Sequence, residues 1–186
     1  MIKVAIMGYG TVGSGVYEVI KTNQKSIDKK VGQKLQIKYV LDLREFPGDS
    51  VMEVLTHDFE DIIGDDEVKI VAEVMGGLHP AYEFTRRCLE AGKSVCTSNK
   101  ELVAEHGAEL IQIAKDHQVN YLFEASVGGG IPIIRPLNSS LTADVILEIS
   151  GILNGTTNYM LTKMEREGLD YVDVLNEAQD KGYAEL

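Results

Sequence analysis

An α/β fold with a doubly wound parallel sheet is what this sequence predicts, and three observations point to it. The chain opens on an apolar run, residues 3–7, with no charge after Lys3, as a strand buried on both faces should read. That run passes directly into Gly8-Tyr9-Gly10-Thr11-Val12-Gly13, three glycines at G-x-G-x-x-G spacing, and Val12, Val16, Val19 and Ile20 follow at helical intervals. Short apolar runs then alternate with helical patterns down the chain, the signature of repeated βαβ units.

The first strand and helix enclose a tight turn. Gly8 allows the turn, Gly10 lets a pyrophosphate approach the backbone, and Gly13 lets the helix pack closely on the strand, whose partner helix then presents unpaired N–H groups to phosphate. A glycine fingerprint set between a strand and a helix is far more specific than one met alone. Residues 23–36 are polar and lysine-rich, a helix extension or a loop, and residues 36–41 read as the second strand. Asp42, Leu43 and Arg44 sit at its C-terminal end. An acid there bonds the ribose 2′-hydroxyl of NAD, whereas an arginine accommodates the 2′-phosphate of NADP. Both are present, so the choice between NADP and NAD stays open.

Residues 51–63 look like a short amphipathic helix carrying His57. Residues 69–75 form a third buried strand that ends in Gly76-Gly77. Pro80 stands where a helix begins, a position proline favours because its missing N–H has no partner there. The helix runs through residue 91 and stops at Gly92. Residues 94–97 are the fourth strand, and Ser98-Asn99-Lys100-Glu101 opens a helix reaching His117. Residues 120–123 are the fifth strand. Numbered in this way, the expected strand order is 3-2-1-4-5.

The pattern changes after Glu124. Ser126-Val127-Gly128-Gly129-Gly130-Ile131-Pro132 is the clearest break in the chain and the expected junction between domains 1–130 and 131–186. Beyond it, residues 133–141 read as helical and residues 146–149 as a strand. Asn154-Gly155-Thr156-Thr157 turns into a helix closed by Gly168. Asp170 with Asp173 opens a last helix that ends near Lys181-Gly182.

A net charge of −11 over 186 residues argues against nucleic acid or an anionic membrane as partner. The apolar stretches are too short to span a membrane, and a start directly in a strand leaves no room for a signal peptide, so a cytoplasmic protein is expected. Cys88 and Cys96 form no C-x-x-C pair and read as reduced thiols. His57, His79, His106 and His117 show no metal-ligand spacing and read as surface or helix-end residues. Lys100 is either a solvated surface lysine or, from its place at the ligand-binding edge of the sheet, part of a site. Thr156 and Thr157 serve equally well as helix N-caps or as ligand contacts. Glu185 reads on its own as an exposed terminal acid.

Several stretches taken together resemble homoserine dehydrogenase. They are the opening glycine turn, Glu73-Val74-Met75-Gly76-Gly77, Thr97-Ser98-Asn99-Lys100 and residues 123–132. Beyond these come Gly151-Ile152-Leu153-Asn154-Gly155-Thr156-Thr157-Asn158-Tyr159, Glu177-Ala178-Gln179 and Gly182-Tyr183-Ala184-Glu185. The run from Gly151 to Tyr159 is more discriminating than the glycine fingerprint. The resemblance implies a Rossmann-like cofactor domain followed by the start of an α+β substrate and dimerisation domain. It implies NAD(P)-linked interconversion of aspartate semialdehyde and homoserine, and a homodimer. Cofactor-binding residues are then Gly8, Gly10, Thr11, Val12, Gly13, Arg44, Gly76, Ser98 and Lys100, with Lys100 also catalytic between cofactor and substrate. Substrate contacts are Gly155, Thr156, Tyr183 and Glu185, the last receiving the substrate's ammonium. A sodium ion is implied on Glu124 and the carbonyls of Val127, Gly129 and Ile131, an all-oxygen set suited to a hard cation. The family continues past Gly-Tyr-Ala-Glu to an aspartate-rich segment and a lysine taken as acid/base, which this chain does not reach; little turnover is therefore expected of it. Two rivals stand beside this reading: another amino-acid semialdehyde dehydrogenase with the same front end, and a non-catalytic nucleotide-binding fragment.

Overall fold

The computed structural model describes residues 1–152 and 154–184. It divides into two compact units, Met1–Asn138 and Ser139–Leu186.

The first unit is organised by a parallel sheet of six strands in the order β3-β2-β1-β4-β5-β6. β1 is Ile2–Met7, β2 Leu35–Leu41, β3 Leu55–Thr56, β4 Val68–Glu73, β5 Ser94–Thr97 and β6 Tyr121–Leu122. The helices between them are α1 (Thr11–Thr22), α2 (Gln24–Val31), α3 (Glu60–Ile63), α4 (Ala81–Glu90) and α5 (Lys100–Asp116). This is the Rossmann-like α/β class expected from the sequence. Alternate residues of β1 serve opposite faces, as strand geometry dictates. Ala5 and Met7 pack with Val71, Leu89, Leu102 and Leu110 on one side; Ile6 packs with Tyr9, Tyr17, Val40 and Val51 on the other. Both faces are covered, and so β1 reads as a continuous apolar run.

Three expectations are corrected. Residues 51–63 do not form one helix: a 3-10 turn, Ser50–Glu53, leads into β3 and then α3. Val51 is buried on one face of the sheet, whereas Phe59 and Ile62 are buried on the other. One short helix cannot serve both faces, and the chain crosses the sheet edge as β3, paired Val40↔Leu55 and Leu41↔Thr56. The strand order 3-2-1-4-5 fails for the same reason. The strand counted third from the sequence, β4, lies against β1, and β3 takes the edge beside β2. Residues 146–149 are not a strand. Ile146, Leu147 and Ile149 are exposed, and among the described residues the second unit holds no strand to complete a ladder.

After β6 come the single turn α6 (Ala125–Gly128) and α7 (Ile134–Ser140). The second unit is a helical hairpin, α8 (Gly155–Glu167) and α9 (Tyr171–Asp180). Its small core is Met160, Val174 and Ala178, flanked by Tyr159, Met164, Leu169 and Leu175. Asn154 and Asp170 cap the two helices through their side chains.

Candidate functional site

Register alone brings the loops of the site together. Leu41, Met7, Glu73 and Thr97 stand in one row across β2, β1, β4 and β5, so Asp42, Gly8, Val74 and Ser98 leave the sheet side by side at its C-terminal edge. Ligands bind at this edge in open α/β sheets. Gly8 has φ +100°, and a Cβ there would stand 2.9 Å from the Val74 carbonyl, so only glycine suits the turn. A Cβ on Gly13 would sit 2.0 Å from the Gly8 carbonyl oxygen, whereas one on Gly10 would meet nothing within 4 Å. Gly13 therefore locks α1 onto the loop, and Gly10 leaves its outer side open.

The N-terminus of α1 is bare. Gly10 brings no side-chain cap, and the first helical hydrogen bond from within the turn is Ser14 N–H to the Gly10 carbonyl. The N–H groups of Thr11, Val12 and Gly13 are thus the orphan donors every helix leaves in its first turn, at the positive end of its dipole. Tyr9 anchors the loop from behind. Its ring packs edge-on against Tyr17 and Phe46, its hydroxyl donates to Asp49, and burial followed by Asp49 pushes its pKa up to about 12.

A cleft of 540 Å³ lies over this edge, lined by Gly8, Gly10, Asp42, Arg44, His57 and Gly76 among others. Asp42 is its electrostatic hub. One carboxylate oxygen accepts the Tyr9 N–H at 2.8 Å, and Arg44 donates to both oxygens at 2.9 Å. The guanidinium holds the Asp42 carboxyl well below the usual carboxylate range despite partial burial. Arg44 also lies over the Phe46 ring and is exposed to the cleft side. His57 faces the Asp42 carbonyl through Nδ1 at 2.6 Å and the Glu45 carboxylate through Nε2 at 2.9 Å. Sequence reasoning places His57 at the surface or a helix end and misses it here, because the strand that delivers it to the edge, β3, is hidden in a helical pattern.

On the other side of the cleft, Gly76 is exposed in the loop after β4; Ser98, half-buried in the loop after β5, is not among the residues that line the cleft. Ser98 N–H extends the ladder toward the Glu73 carbonyl at 3.4 Å. Lys100 is the first residue of α5 and is exposed. Asn99 caps that helix by accepting the Leu102 N–H.

Glu124 stands at the start of the glycine-rich loop with Val127, Gly129 and Ile131. Its carboxylate accepts the N–H groups of Ile133, Ile134 and Arg135, and the Ile133 N–H leads in holding its pKa below the ordinary glutamate value. Four lone pairs on the two oxygens leave room for one further contact. In the second unit, Gly155 is the exposed first residue of α8. Thr156 donates its hydroxyl to the Tyr183 carbonyl, and the Tyr183 ring meets Tyr159 edge-on at 5.1 Å. Thr156 and Tyr183 are thus neighbours. Neither Thr156 nor Thr157 is the N-cap; Asn154 fills that place by accepting the Thr157 N–H. Glu185 lies outside the described residues.

The family model described as "Homoserine dehydrogenase, NAD binding domain" matches residues 8–124, and that of "Homoserine dehydrogenase" matches residues 132–186. Homoserine dehydrogenase of Bacillus subtilis is 45% identical over 99% of this chain, and that of Mycobacterium tuberculosis 42% identical over 98%. The chain spans 43% and 42% of their respective lengths. Among solved structures, a homoserine dehydrogenase from Thiobacillus denitrificans superposes with a TM-score of 0.91 at 39% identity, covering 99% of this chain and 43% of that one. A hyperthermophilic archaeal homoserine dehydrogenase in complex with NADPH gives 0.83 at 26% identity, covering 99% of this chain and 62% of that one.

Proposed function

Because this chain belongs to the homoserine dehydrogenase family, we propose that it forms part of an NAD(P)-dependent oxidoreductase interconverting L-aspartate 4-semialdehyde and L-homoserine, a step toward threonine and methionine. Residues 1–130 make up the cofactor domain in this reading, and residues 131–186 the beginning of the catalytic domain. The observation that supports it most directly is the bare N-terminus of α1 beside the open face of Gly10, in one cleft with Asp42 and Arg44.

When bound, the nicotinamide exchanges a hydride with the aldehyde carbon of the substrate. The chain's residues do the rest. The N–H groups of Thr11, Val12 and Gly13 hold the diphosphate, with Gly8 and Gly10 allowing its close approach. Asp42 holds Arg44 in place, and Arg44 takes a 2′-phosphate; Gly76 and Ser98 line the path to the reacting end. Lys100 offers an ammonium at the helix start, where it pairs with phosphate or carboxylate and manages the proton. Gly155, Thr156, Tyr183 and Glu185 hold the amino-acid substrate, with the Glu185 carboxylate meeting its ammonium. Glu124, kept ionised by three N–H groups, joins the carbonyls of Val127, Gly129 and Ile131 in holding a sodium ion. A cytoplasmic homodimer completes the reading, in keeping with the free thiols of Cys88 and Cys96.

Titration of NADPH and NADH by nicotinamide fluorescence tests the proposal. Saturable binding is expected, and Gly10→Val, which fills the open side of the loop, should weaken it by about tenfold or more. No saturable binding of either nucleotide to the wild-type chain would overturn it.

A further inference from the structure

Glu73 is a carboxylate with no exposed surface, at the end of β4 in the middle of the sheet. Burying an anion there is costly unless its hydrogen bonds are well met, and an apolar residue would serve the sheet at no such cost. Its partners all belong to the ligand edge. One oxygen accepts the Met75 N–H at 2.9 Å, and the other accepts the Thr97 hydroxyl at 2.5 Å. Thr97 in turn accepts the Asn99 N–H at 2.9 Å. Asn99 donates its side-chain amide to the Gly77 carbonyl at 2.6 Å and caps α5 through Leu102 N–H at 3.1 Å. A closed polar circuit therefore ties the loop after β4 to the loop after β5.

From this geometry we infer that Glu73 is a positioning residue that couples Met75–Gly77, of which Met75 and Gly76 line the cleft, to the start of α5 with Lys100. The inference rests on the cofactor reading only for what these two loops contact. Both junctions run through the two oxygens of this side chain. A leucine of similar size accepts neither bond and leaves the Met75 N–H and the Thr97 hydroxyl without these partners. A glutamine can keep its carbonyl on Met75 and donate its amide to Thr97, whose oxygen has two acceptor lone pairs, and so it preserves both junctions.

The test is amide hydrogen exchange on the full chain with Glu73→Leu and Thr97→Val, alongside NADPH titration. Glu73→Leu should speed exchange at Met75–Gly77 and at Asn99–Val103 by about tenfold, with β1 and β2 unchanged. Thr97→Val keeps the Met75 bond, so only Asn99–Val103 should loosen. NADPH affinity should fall by about fivefold in both. Should Glu73→Leu fail to fold, Thr97→Val decides. Exchange that stays at wild-type values in both loops, or rises equally throughout the sheet, would overturn the inference. If the wild-type chain binds no NADPH, the cofactor reading falls, and the exchange pattern still decides whether Glu73 couples the loops.

Discussion

Arg44 lies across the carboxylate of Asp42, its Nε 2.9 Å from Oδ1 and its Nη2 2.9 Å from Oδ2. With Tyr9 N–H also on Oδ2, that carboxylate has little capacity left for ribose hydroxyls, and its charge is neutralised where a 2′-phosphate would arrive. Arg44→Ala should therefore weaken NADPH by about tenfold or more while NADH changes by less than about threefold. Parallel fluorescence titrations check this. An equal change for both nucleotides would remove Arg44 from phosphate recognition.

The two glycines within α1 should respond oppositely to alanine. At Gly13 the new Cβ would meet the Gly8 carbonyl at 2.0 Å, backbone against backbone, and neither atom can swing away. A loss of about 2 kcal/mol or more is expected. At Gly15 the Cβ would meet nothing within 4 Å, and alanine in a helix interior gains up to about 1 kcal/mol. Thermal melts followed by circular dichroism should move in opposite directions. A Gly13→Ala chain that melts like wild type would show that α1 is not packed on the loop in this way.

What the sequence made legible here is what local chemistry fixes. The glycine turn, Asn99 before α5, and Asp170 before α9 each carry their own geometry in two to six residues. β3 escaped because two residues are too few for a period, and its flanks, Val51 on one face and Ile62 on the other, mimic a helical stripe. With β3 unseen, the strand order was misnumbered, and His57 had no edge to stand on. Residues 146–149 have strand-like composition, but β propensity needs a neighbouring strand to express itself. Glu73 was visible only as part of a motif; its role depends on the register that sets Thr97 opposite.

His57 should titrate above its ordinary value of 6.5, because both ring nitrogens favour the imidazolium, the Asp42 carbonyl first and the Glu45 carboxylate second. A folded-state pKa above the unfolded one stabilises fully below pH 6.5, and the contribution is lost as pH rises through the folded value. Proton NMR of the imidazole gives the pKa directly. Glu45→Gln should lower it part of the way, since the Asp42 contact persists. A wild-type value at or below 6.5 would show that the clamp over the Asp42–Glu45 loop does not form in solution.

The helical hairpin has the opposite pH sense. Lys163 at 2.6 Å, Lys181, and the Tyr159 hydroxyl at 2.8 Å converge on Glu177, and Lys163 leads in holding its carboxyl down to about 2. A depressed folded pKa gives stability that is present above the unfolded value of 4.5 and is lost as pH falls toward about 2. The cluster is open to solvent, so salt should weaken it; at about 1 M the screening length shrinks to about 3 Å and the pKa should climb back toward 4.5. Carbon-detected carboxyl titration at low and high salt reads both effects. Glu177→Gln should abolish the acid dependence of amide protection in α9, and a low-salt Glu177 pKa near 4.5 would mean that the lysines do not hold it.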